Sequence, residues 1–312
     1  MDEYLAPAGR TAAAATYAGY GSVDLKISPT LDTGDALEDL MVAVGLRACQ
    51  DDPVGLVLYG HALPAPRFGS EPGLADRVRV GLGLAGVPFF GISGVGGTSV
   101  LRALDYARRY LERQAAYDVP GYDSVLVLGG DHGTVVDSAR HAPGTTEMAD
   151  AVVAFLVRPD GADDAVGTGR YRYLAGVTSR DARFHRGQRL SPVRQRLFDQ
   201  VCAVQVLATA NSALRQAGLT ADDVDWVMPQ ASAALSWRVF AKSLGVEPDR
   251  VRLDLIPAGG HTHGVDALVA LANAERAGQL TPGQHCLLLG IGDGAYFQAT
   301  VVEVTPDRGW PV

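Results

Sequence analysis

The chain has 312 residues, 47% of them hydrophobic and 20% charged, which is the profile of a globular protein with one large or two medium cores. Its formal charge of −8, from 27 Lys and Arg against 35 Asp and Glu, comes with no basic stripe and argues against nucleic acid as a partner. No apolar run is long enough to span a membrane. The start, MDEYLAPAGR, lacks the basic flank and apolar stretch of a signal peptide, so a cytoplasmic protein without membrane contact is expected.

In chain order, residues 35–62 (DALEDLMVAVGLRACQDDPVGLVLYGHA) predict a helix, an acidic turn, a strand and a polar end. An apolar strand with Val87, Phe89 and Phe90 then runs into GISGVGGTSVLRAL, residues 91–104, where a glycine turn opens directly onto a helix. That geometry aims backbone N–H groups and a helix N-terminus at whatever occupies the turn. The next strand, DSVLVLGGD, ends at Gly130 and Asp131, and a loop rich in Gly and Asp follows at 160–169.

After that loop the order begins again. Residues 205–232 (QVLATANSALRQAGLTADDVDWVMPQAS) repeat helix, turn and strand, GGHTHGVDALVALANAERAG repeats the glycine turn and helix, and HCLLLGIGD repeats a strand ending in Gly292 and Asp293. The chain is therefore an α/β protein made of two copies of one βαβ-rich unit, residues 1–165 and 166–312. Cys49 and Cys202 fall in helical patterns and Cys286 in a strand; unpaired and without metal-ligand spacing, they point to a reducing compartment and to small core residues.

The pseudo-twofold brings three turns together, at 94–99, 228–232 and 259–264. Other signals are weaker. Asp131 and His132 sit at a strand end, and Asp293 either caps a turn or orients a site histidine. Arg180, Arg183, Arg186 and Arg189 read as a solvated loop or as a dock for an acidic carrier protein. Neither a GxGxxG turn, a P-loop nor a GxSxG elbow is present.

The duplicated chain with these turns resembles the thiolase fold, a five-layer αβαβα architecture, and within it ketoacyl-ACP synthase III and its acyltransferase relatives. VDWVMP, AKSLGVEPDRV and AGQLTPGQHCLLLGIGDGA carry the resemblance most clearly; it is weaker over 35–157. The resemblance implies a Cys-His-Asn triad, and all three positions differ here. Gly97 stands at the cysteine position, Gln230 at the histidine and His261 at the asparagine. The family's early loop that grips coenzyme A is missing between Ile27 and Asp35, which favours a carrier protein as donor. The decarboxylating condensation therefore lacks its machinery, while the fold carries over.

Three readings of the altered site stand side by side. In the first, Ser99 or Thr98 replaces the thiol, with His261 as base and Gln230 as an oxyanion donor beside a backbone N–H of Gly96 or Gly97; the plain alternative is that both hydroxyls are helix caps. In the second, no covalent intermediate forms: His261 or His263 acts as general base on an acceptor, in room opened by Gly97. In the third, the chain is the silent partner of a heterodimeric ketosynthase. The resemblance implies an acyltransferase of specialised metabolism that takes an acyl-CoA or acyl-carrier-protein thioester and a small-molecule acceptor, or else a hydrolase or cyclase. Gly96, Gly97, Ser232 and Gly260 are expected to line the substrate, with no bound metal or cofactor, in a homodimer or heterodimer.

Overall fold

In the computed structural model the described residues are 35–49, 52–63, 73–116, 124–131, 151–159, 170–186, 190–231, 237–253 and 261–306. The first half runs α1 (Asp35–Cys49), β1 (Leu56–Gly60), α2 (Leu74–Gly81), β2 (Phe89–Ile92), α3 (Ser99–Ala116), β3 (Val125–Asp131) and β4 (Ala151–Val157). The second runs β5 (Tyr171–Arg180), α4 (Pro192–Ala217), β6 (Trp226–Met228), α5 (Trp237–Leu244), α6 (Asp266–Arg276), β7 (His285–Gly292) and β8 (Tyr296–Val304). The strands form two sheets with orders β2-β1-β3-β4 and β5-β8-β7-β6.

Strand pairing repeats between the sheets. β1 is parallel to β2 and β3, and β3 is antiparallel to β4. Correspondingly, β6 is parallel to β7, β7 is antiparallel to β8, and Val227 makes a parallel bridge to Val251 where β2 has its counterpart. The duplication read from the sequence is thus one of topology. The boundary expected in 160–169 lies outside the described residues.

Alternation along each strand builds the layers. In β3, Val125 and Val127 face a central layer with α3 and α6, while Leu126 and Leu128 face α1 and α2. In β7, Cys286 and Leu288 face the same central layer, while Leu287 and Leu289 pack under α4 and α5. Helix, sheet, paired helices, sheet, helix: this is the αβαβα stack. Strands buried on both faces read as near-continuous apolar runs, which is why VLVL and CLLL carry no polar residue. All three cysteines are buried, with thiols pushed up by desolvation to about 11 at Cys49 and Cys202 and about 12 at Cys286. They are core residues.

The halves meet backbone on backbone. A Cβ on Gly292, at the end of β7, would lie 1.9 Å from the Val95 carbonyl oxygen, and one on Gly96 would lie 2.5 Å from the Asp293 nitrogen. Gly96 also sits at φ +54°, open to glycine at little cost. Gly292→Ala is expected to cost about 3 kcal/mol through overpacking, measured by chemical unfolding. Gly86→Ala, whose Cβ meets nothing within 4 Å, should stay within about 0.5 kcal/mol of wild type.

Candidate functional site

The glycine seam delivers the first turn to the site. Gly96–Thr98 forms one 3₁₀ turn that runs straight into α3. Thr98 is fully buried and donates its hydroxyl to the Val95 carbonyl at 2.8 Å. Ser99 is also fully buried; its Oγ has no hydrogen-bond partner and lies 3.0 Å from where a Cβ on Gly264 would stand. Neither hydroxyl caps α3, and both are buried, which corrects the expected cap role: Thr98 closes its own turn, and Ser99 lies behind the 263–265 turn.

Gly97 does not open a space either. A Cβ there would meet the Ile291 carbonyl oxygen at 2.7 Å and the Gln230 carboxamide at 2.8 Å (Nε2) and 3.0 Å (Oε1). Gln230, two residues beyond β6 and 7% exposed, reaches across and occupies the place that a side chain at 97 would take. The expected room for an acceptor at Gly97 is filled by Gln230.

From Gln230 the polar contacts run in one direction. Its Oε1 accepts the Ile291 N–H at 2.5 Å, and its Nε2 lies 3.3 Å from His261 Nε2. His261 Nδ1 in turn meets Asp266 Oδ2 at 2.5 Å. Asp266 opens α6, where the helix N-terminus favours an anion, and is 1% exposed. Its carboxylate also accepts the Ala231 N–H at 2.8 Å and both the N–H and the hydroxyl of Thr262 at 2.6 Å. A buried carboxylate with this many donors is ionised. Burial alone would push it up, but His261 and Thr262 bring it below its ordinary 3.8.

His261 keeps 12% of its side chain exposed. Burial pulls its pKa down; the charge and hydrogen bond of Asp266, with Asp131 and Asp293 beyond, more than reverse that and raise it above 6.5. His263 lies beside it, ring centroids 5.3 Å apart, and is held at φ +58°, a strained conformation for a residue with a side chain. Asp131 is buried at the end of β3 and accepts the N–H groups of Ala62 and Leu63. So it stitches the end of β1 to β3 and adds negative charge near His261.

The structure therefore brings together His261, Gln230, Gly96 and Gly97, with His263 adjacent; Ser232, Gly260 and His132 lie outside the described residues. Among the described residues no group of His, Cys, Asp and Glu has a metal-binding arrangement, and no helix is long and apolar enough to cross a membrane. Sequence reasoning missed Asp266 and left Asp293 either to cap a turn or to orient a site histidine. Asp293 is exposed in the turn after β7, and the bond to His261 comes from Asp266. The available signal was an acid five residues after the histidine, opening the helix on which that turn ends.

The His261–Asp266 pair sets a pH window. A raised histidine pKa contributes stability that is complete below 6.5 and lost as pH rises through the folded value. A lowered Asp pKa contributes stability present above 3.8 and lost on acidification. Asp266→Asn should destabilise the fold by about 3 kcal/mol. The deficit should be largest between pH 3.8 and 6.5 and shrink at higher pH, as read by urea unfolding across pH.

Comparison with known proteins places this geometry. Residues 214–304, which include Gln230, His261, Asp266 and Ile291, match the family model for the 3-oxoacyl-[acyl-carrier-protein] synthase III C terminal. The chain is 33% identical over 102 residues to a β-ketoacyl-[acyl-carrier-protein] synthase III of Neisseria gonorrhoeae, a match spanning 32% of each chain. With the corresponding synthase of Rhodospirillum rubrum it is 27% identical over 288 residues, 87% of this chain and 85% of that one. Among solved structures, the acyltransferase ChlB3 superposes with a TM-score of 0.71 at 21% identity, covering 88% of this chain and 86% of that one. The fold is the thiolase fold, and the chain resembles the ketoacyl-ACP synthase III family.

Proposed function

We propose that this thiolase-fold chain, similar to the ketoacyl-ACP synthases III over most of its length, is an acyltransferase of specialised metabolism. It moves an acyl group directly from a coenzyme A or carrier-protein thioester to a small-molecule acceptor. The observation that supports this most is the Gln230–His261–Asp266 array, standing where a covalent nucleophile would otherwise act. The acceptor X–H gives its proton to His261 Nε2 as X bonds to the thioester carbonyl carbon. The C–S bond then breaks, and the imidazolium returns that proton to the departing thiolate. Asp266 stabilises the imidazolium through Nδ1. The second N–H of Gln230 and the Gly96–Gly97 backbone serve the oxyanion.

A base raised above 6.5 suits this role, since it is both available near neutrality and strong enough to take a proton. Thr98 and Ser99 do not fit the hydroxyl-nucleophile alternative, because both are buried away from solvent.

Delivery by an acidic carrier protein fits the exposed cations Arg180, Arg183, Arg186 and Arg194 and the exposed Val193 and Leu197 at the start of α4; Arg189 lies outside the described residues. β2 is a sheet edge with Phe90 exposed, which supports association through that strand as a homodimer or heterodimer. The free buried cysteines suit a reducing cytoplasm. The Gln230 side chain at Gly97 also fits a second reading, a silent partner subunit of a heterodimeric ketosynthase.

Intact-protein mass spectrometry during turnover with acyl-CoA and acyl-carrier donors separates these readings. Transfer without an acyl adduct is expected, with kcat/KM about 10³-fold lower in His261→Ala and unchanged within about threefold in Thr98→Val, which removes the buried hydroxyl and its bond to the Val95 carbonyl while keeping the side chain's shape. An adduct lost in Ser99→Ala would sink direct transfer. Turnover only in the presence of a separate ketosynthase would establish the silent subunit.

A further inference from the structure

One backbone amide fixes the orientation of the Gln230 carboxamide. The Ile291 N–H only donates, so the Gln230 atom facing it at 2.5 Å is Oε1, and Nε2 is the atom turned to His261 at 3.3 Å. An amide nitrogen offers two donors and no acceptor. His261 Nε2 therefore presents its lone pair, and the ring proton sits on Nδ1, given to Asp266. A second proton, on Nε2, would set donor against donor. Gln230 cannot relieve this by turning its carboxamide over without leaving the Ile291 N–H facing another donor.

Every carboxylate around the ring pulls the other way. Asp266 acts from α6 at Nδ1, Asp131 from the end of β3, and Asp293 from the turn after β7; His263, the remaining titratable neighbour, lies alongside. The carboxamide reaches its place only because residue 97 has no side chain, since a Cβ there would stand 2.8 Å from its nitrogen.

We propose that Gln230 is a positioning residue that holds His261 as a neutral base with its lone pair on Nε2, and that Gly97 is the gap that admits it. This rests on the proposed transfer reading for its consequence, though not for its test. Glycine at 97 and glutamine at 230 then form one coupled device. Replacing the amide by a carboxylate of the same length turns the donor facing Nε2 into an acceptor and favours the imidazolium.

The test is a pH titration of the 15N-labelled full chain by two-bond ¹H–¹⁵N NMR, with the His261 signals identified by their loss in His261→Asn. The wild type should show the Nδ1–H tautomer. Gln230→Glu should raise the His261 pKa at least tenfold in proton affinity, and Gln230→Ala should raise it less. In the transfer assay, the rise of kcat/KM with pH should move to higher pH in the same order. A resting Nε2–H tautomer, or a Gln230→Glu shift that is absent or downward, overturns the proposal. Because the titration needs no turnover, the expected shifts in a chain that transfers nothing would sink the acyltransferase reading alone.

Discussion

The carboxylate of Asp266 ties together the loops from which the site is built. It is 1% exposed and takes hydrogen bonds from the end of β6 through Ala231, from the third turn through Thr262, and from the imidazole of His261. A buried charge is costly unless fully paired. Here the pairing holds two otherwise separate backbone segments at fixed distance from the imidazole. The helix N-terminus beneath it contributes in the same sense. Removing the charge loosens the geometry and weakens the base in one step.

That arrangement depends on a second constraint, the close contact of the Val95–Gly97 turn with the end of β7. Glycine at 96, 97, 290 and 292 brings main chain against main chain between the two halves. The contact carries Ile291 to Gln230, and Ile291 N–H then decides how the carboxamide is oriented. The seam is thus both packing and chemistry. A methyl group at Gly96 or Gly292 would overlap main-chain atoms across the seam and strain that contact.

Much of this was legible in the sequence. Alternation placed the strands, the repeated glycine turns revealed the duplication, and three turns were expected to converge. The central positions, Gly97, Gln230 and His261, do meet. What was not legible were distances across the seam. Gly97 read as open space because a missing side chain looks the same whether or not a neighbour fills the gap. Gln230 fills it from 133 positions away in the chain, and no local pattern records that. Thr98 and Ser99 read as candidate nucleophiles because they open a helix. Packing behind Gly264 buries Ser99, and Thr98 is buried as its hydroxyl closes the turn onto Val95. Asp266 was passed over because an acid in the first turn of a helix has an ordinary explanation in the helix dipole.

The substitutions make chemical sense together more than singly. A thiol nucleophile acts because a substantial share of it ionises near neutrality, whereas a serine or threonine hydroxyl there needs a base in direct contact. In the proposed direct transfer, with glycine at 97, the proton to be moved belongs to the acceptor instead. A histidine whose proton affinity is raised by Asp266 can take it, provided the ring rests neutral until the acceptor arrives. Asp266 supplies the affinity and Gln230 restrains it. The two act on opposite nitrogens of the same ring, so strength of the base and its availability are set separately. An asparagine in place of His261 could accept no proton, and a histidine in place of Gln230 would have no fixed donor to show Nε2. In the transfer proposed above, then, Gly97, Gln230 and His261 act together to decide where the proton is held.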